Sequence, residues 1–89
     1  MANYLLIRHT VRDFSEWKKA YDADGPKRTE AGLTEEHLLR TADNPNQVVV
    51  LFQAQDVKKA QAFAGSEDLK QVMQSAGVVD RPDVYFLNG

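Results

Sequence analysis

Hydrophobic and polar positions along the chain fall into a pattern that is stated twice. Tyr4 to Val11 is a largely apolar run ending at a polar residue, Arg12, followed by Asp13 and then Phe14. Val48 to Ala54 is a second such run, followed by Gln55, Asp56 and Val57 in the same order. Each reads as a strand, a helix N-cap and the first buried residue of a helix, because a carboxylate there accepts from the free N–H groups of the first turn. Glu16 falls at the third helical position and predicts a capping box with Asp13. Phe14, Trp17 and Tyr21 then recur at i, i+3 and i+7, one face of a helix.

Asp24-Gly25-Pro26 predicts a kink, with a short second helix starting near Pro26 and capped at its end by Gly32. Leu33 to Thr41 reads as a more polar strand at a sheet edge. Asp43-Asn44-Pro45-Asn46 predicts the turn of a hairpin leading into a strand over 47–54. Asp56 caps a helix over 57–64, with Val57, Ala60 and Phe63 or Ala64 inward. Gly65 breaks that helix, and Ser66 recaps a last one through Ala76 with the apolar stripe Leu69, Val72, Met73 and Ala76. Gly77 ends it, Val78 is expected to pack back as in a Schellman motif, and the final strand runs over 83–88. The order is β-α-β-β-α-β. With right-handed crossovers this gives an α+β, ferredoxin-like fold, a four-stranded antiparallel sheet with its helices on one face.

A sheet covered on one side only should alternate apolar and polar. Val48 to Phe52 is instead apolar at five consecutive positions, and Tyr4 to Ile7 and Val84 to Leu87 at four each. Exposing such side chains forgoes roughly 1.5–3 kcal/mol each. A second copy, packing sheet to sheet into an α+β barrel, is therefore the expected partner of a single domain spanning residues 1–89.

The remaining composition narrows the function classes. A net charge of −2 gives no electrostatic case for nucleic acid or an anionic membrane. Zero cysteines exclude disulfides and thiolate chemistry. The run from Met1 into a strand has no basic or cleavable leader, so the cytoplasm is the expected location. No phosphate loop, dinucleotide fingerprint or Ser-His-Asp spacing is present. Two histidines on different strands give little basis for a metal site, and neither metal nor cofactor is expected.

His9 is the leading catalytic candidate, as the acid/base group of a buried strand that titrates near neutrality. It reads equally as a core histidine donating to a backbone carbonyl or to Asp22. His37, among Glu35, Glu36 and Arg40, reads as a solvated residue. Trp17 and Tyr21, with Phe14, either wall an aromatic ligand pocket or simply fill the core. Asp22 lies off that face and is expected to bond a neighbouring strand or Arg28. Arg8 and Arg40, on adjacent positions of two strands, are candidates to bind a carboxylate or phosphate, or are ordinary edge arginines.

Nearly the whole chain resembles the dimeric α+β-barrel superfamily, in the group of antibiotic-biosynthesis-monooxygenase-like and small "cyclase"-labelled bacterial proteins. The resemblance rests on His9-x-Val11-x-Asp13-Phe14-x-x-Trp17-Lys18-x-x-Tyr21-Asp22, Asp43-x-Pro45-Asn46-x-Val48, Lys59-Ala60-x-Ala62-Phe63-x-x-Ser66 and Met73-x-x-Ala76-Gly77-Val78. It implies a homodimer with a pocket for a small organic ligand. Its enzymatic version is a cofactor-independent monooxygenase or cyclase acting on an aromatic or polyketide-like substrate, with His9 as base and Trp17 and Tyr21 holding the ring. A third reading is a structural dimer with a filled interior. The His, Asn and Trp of haem-degrading members find no counterparts here. RNA-recognition motifs, acylphosphatases and metallochaperones of the same topology lack their glycine- and aromatic-rich strand, glycine loop and paired cysteines, respectively.

Overall fold

The computed structural model describes residues 2–89 and holds one sheet with four helical segments. The elements are β1 (Asn3–Thr10), α1 (Phe14–Ala23), α2 (Gly25–Glu30), β2 (Leu33–Thr41), β3 (Asn44–Ala54), α3 (Val57–Ala64), α4 (Glu67–Ser75) and β4 (Asp83–Asn88). The strands are antiparallel in the order β2-β3-β1-β4, the predicted α+β ferredoxin-like arrangement with β2 at an edge.

Local chemistry sets the helix limits. Asp13 accepts from Ser15 N at 3.0 Å, Asp56 from Lys58 N at 2.9 Å, and the Ser66 hydroxyl from Leu69 N at 3.1 Å. The expected capping box does not close, because Glu16 turns toward Arg12 at 3.1 Å. Gly77 adopts φ +89°, Gly77 N donates to Gln74 O and Val78 N to Met73 O, which is a Schellman motif.

The hairpin is tighter than the predicted 43–46 turn. β2 runs to Thr41 and β3 begins at Asn44, leaving Ala42 and Asp43 as the turn. Asn44 Oδ1 accepts from Asn46 N at 3.0 Å, which carries the chain past Pro45 and its missing donor. Asn46 then ties the hairpin to the β1–α1 connection: its carbonyl accepts from Val11 N at 2.8 Å and its side chain from Phe14 N at 3.1 Å.

Burial along the central strands has a period of two although their hydrophobicity does not. Leu5, Ile7, His9 and Val11 are buried, as are Val48, Val50, Phe52 and Ala54, all on the face that the helices cover. Registers Leu5↔Phe52 and Ile7↔Val50 place the two sets side by side. The intervening Leu6, Val49 and Leu51 share the opposite face with Leu39, Tyr85 and Leu87, which are 55%, 52% and 41% exposed. Among the described residues no helix is long and apolar enough to cross a membrane.

Gly77→Ala should destabilise the fold by about 1–2 kcal/mol, the usual cost of an L-residue in a left-handed conformation. The added Cβ would stand 3.4 Å from Arg12 Nη2, an ordinary contact, so backbone strain is the main cost. Chemical denaturation should show a lower midpoint with an unchanged slope.

Candidate functional site

β1, α1 and the two later helices enclose a cavity of about 50 Å³ on the covered face of the sheet. One water needs roughly 10–15 Å³ measured this way, so the space exceeds a single water. Ile7, His9, Val50 and Phe52 form its floor, and Trp17, Tyr21 and Arg28 one wall. Phe63, Leu69, Val72, Met73 and Ala76 form the wall across from them.

His9 reaches this floor because it is in phase with Leu5 and Ile7, which sends its ring among the helices. It is 3% exposed, and neither ring nitrogen has a hydrogen-bond partner. Its ring meets Trp17 edge-on with centroids 5.5 Å apart. The expected backbone carbonyl or Asp22 acceptor is therefore not engaged. Desolvation pushes the His9 pKa below the ordinary histidine value; nearby Asp80 opposes this and Arg8 adds to it. Asp80 is held in place by Thr10 N, which donates to Oδ1 at 2.8 Å. Burial would raise the Asp80 carboxyl, but the Thr10 hydrogen bonds and the charge of Arg8 leave it below its ordinary value.

The i, i+3, i+7 face of α1 makes an aromatic column capped by two cations. Arg40 lies 3.9 Å over Phe14, Phe14 tilts against Trp17 at 5.7 Å, Trp17 stacks on Tyr21 at 4.8 Å, and Arg28 lies 3.7 Å over Tyr21. Trp17 is 4% exposed. It belongs to both the core and the cavity, so the two readings of it are not exclusive. The Tyr21 hydroxyl donates to Glu35 at 2.6 Å, and burial, followed by that bond, raises its pKa.

Several expected groupings do not form. Asp22 lines one groove with Arg28 and the start of β2, but its hydrogen bond among the described residues is to Lys18 Nζ, at 2.6 Å. Arg28 instead donates to the Tyr21 carbonyl at 2.7 Å. Arg8 and Arg40 stand on opposite faces of the sheet and on strands separated by β3, so they cannot share one anion. Arg8 is paired with Asp83 on the open face, its Nε 2.8 Å from Oδ2. Arg40 donates to the Pro45 carbonyl at 2.8 Å. His37 is exposed, opposite Leu51 on the open face.

Arg28, Asn46 and Asp80 were not singled out by sequence as members or supports of the site. Arg28 had a readable signal: it lies seven residues after Tyr21, two helical turns that survive the kink at Gly25. Asp80 sits in an irregular segment before Pro82 and had none.

No protein-family model and no curated protein matches the chain. Solved structures do. SnoaB, a cofactor-independent oxygenase from Streptomyces nogalater, superposes with a TM-score of 0.76 at 13% identity, over 99% of this chain and 92% of that one. A candidate antibiotic biosynthesis monooxygenase from Bordetella bronchiseptica gives 0.76 at 16% identity, over 100% and 98%. Rv0793 from Mycobacterium tuberculosis gives 0.69 at 18%, over 100% and 95%. At these identities the likeness shows a shared fold.

Because the folded His9 pKa lies below the unfolded one, near 6.5, the unfolded chain takes up a proton first as pH falls. The His9 contribution to stability should be complete above about pH 6.5 and decline below it, down to the folded pKa. Unfolding midpoints measured from pH 8 to pH 5 should fall in the wild type, and His9→Leu should lose that part of the slope.

Proposed function

We propose that this chain, which has the α+β fold of the antibiotic biosynthesis monooxygenase structures, is a homodimeric barrel that binds a small organic ligand in the His9 cavity. The observation that carries this reading is the buried imidazole with two unpartnered nitrogens at the floor of an apolar cavity. An unsatisfied buried polar group costs about 1–3 kcal/mol. A guest presenting a hydroxyl to the unprotonated nitrogen, or an acceptor to the N–H, recovers that cost. The unfilled volume argues against a purely structural interior.

The dimer is supported by the open face. Leu39, Tyr85 and Leu87 flank Leu6, Val49 and Leu51 there, an apolar surface that no helix among the described residues covers. A cytoplasmic location fits the cysteine-free composition.

The second reading is a cofactor-independent oxygenase or cyclase, favoured by the SnoaB likeness. Here neutral His9 removes a proton from an acidic phenol or enol, and Trp17 holds the ring. The lowered pKa keeps His9 in its proton-accepting form at neutral pH, while making it a weaker base. A multi-ring polyketide exceeds the cavity unless Tyr21 and Arg28 move aside, so a compact guest fits better.

Sedimentation equilibrium at micromolar concentration should give about twice the 10.0 kDa of one chain, and Leu51→Lys should shift it to a single chain. A wild type that sediments as one chain contradicts the barrel. For the cavity, NMR should show His9 ring signals moving with an added small phenol and losing that response in His9→Gln. His9 signals blind to every guest, with the fold intact, reject the ligand reading. Phenol-dependent oxygen uptake that is lost in His9→Gln separates the enzyme from the binding protein.

A further inference from the structure

The cavity's mouth carries a guanidinium without an ion-pair partner among the described residues. Of the carboxylates around it, Asp22 is paired with Lys18 at 2.6 Å, Glu35 accepts from the neutral Tyr21 hydroxyl at 2.6 Å, and the nearest cation to Asp24 is Lys27, 4.0 Å away and equally close to Asp68 at 3.9 Å. Arg28 is left over. Among the described residues it has no carboxylate within ion-pair distance, and its hydrogen bond goes to the Tyr21 carbonyl.

The guanidinium is nevertheless well fixed. The Tyr21 ring lies 3.7 Å beneath it, Nη1 is anchored at 2.7 Å, and Nη2 stands 3.6 Å from where a Cβ on Gly25 would project. Position also matters. Tyr21 and Arg28 line the inner cavity and also an outer polar groove of about 510 Å³ that includes Lys18, Asp22, Thr34 and Glu35. Arg28 thus stands where water meets an apolar interior, with most of its planar fork of donors unclaimed. A fork held in advance loses little freedom on pairing with a carboxylate.

We infer that the ligand is a small carboxylic acid, its apolar body against Trp17 and Met73 and its carboxylate on Arg28 at the mouth. The inference rests on the ligand-binding reading above and narrows the class of ligand. An alcohol, ester or neutral phenol of the same size would fill the cavity and leave Arg28 unanswered. Asp24, also on the cavity wall, opposes an anion, and Lys27, shared between Asp24 and Asp68, offsets that charge only in part.

Trp17 is the chain's single tryptophan and lines the cavity, so its emission reports occupancy. Cyclohexanecarboxylate and its methyl ester are transparent where tryptophan is excited and can be titrated at pH 7.5. The acid should bind about tenfold tighter than the ester or better, the usual scale of a charge-assisted pair. In Arg28→Gln the preference for acid over ester should fall to within about threefold, and Asp24→Asn should tighten the acid further. Equal binding of acid and ester to the wild type overturns the anion site and leaves the cavity reading standing. A Trp17 emission that neither probe moves overturns both. The wild-type comparison decides even if Arg28→Gln fails to fold.

Discussion

A histidine occupies a position that the strand pattern reserves for an aliphatic side chain, and much of the covered face is arranged around it. On β1 the alternate residues Leu5, Ile7 and Val11 pack beneath the helices, and His9 takes the place between Ile7 and Val11. Burying an imidazole without a partner is costly, and this ring borders unfilled space with room for a polar guest. Trp17 presses on its edge, and Asn46 and Asp80 pin the chain on either side of the β1–α1 turn. The position of this ring is therefore set by side chains from three separate parts of the sequence.

The second constraint is unequal cover. Helices shield one face of β1 and β3 well and β4 poorly: Val84 and Phe86 lie on the helix side yet remain 38% and 40% exposed. β4 thus shows apolar side chains on both faces and an unpaired edge. The sheet-to-sheet contact of the proposed dimer would cover Tyr85 and Leu87. Val84 would still border the groove beside α4.

Elements governed by local chemistry were legible in the sequence. Asp13, Asp56 and Ser66 announced helix starts, Gly77 and Val78 a Schellman end, and the doubled strand–helix order the topology. The site was legible only through periodicity: His9 from the strand phase, Trp17 and Tyr21 from the helix phase. What failed depended on which face a side chain takes. The Arg8 and Arg40 pairing assumed neighbouring strands, but β3 intervenes and the register sends the two side chains opposite ways. Asp22 is expected to bond a neighbouring strand or Arg28, yet it is Lys18, one helical turn away, that binds it. The turn residues Asn44 and Asn46 were recognised, but their side-chain bonds, which draw the hairpin tight, are not encoded in any spacing.

The central claim is that His9 faces a cavity that a guest can occupy, with no protein group completing its hydrogen bonds. High-resolution crystallography of the purified protein tests it directly. The account predicts electron density for water or a retained small molecule in the cavity, within hydrogen-bond distance of a His9 nitrogen. Closed packing of Trp17, Phe63 and Met73 over the ring, with a His9 nitrogen bonded to a main-chain carbonyl, would contradict it.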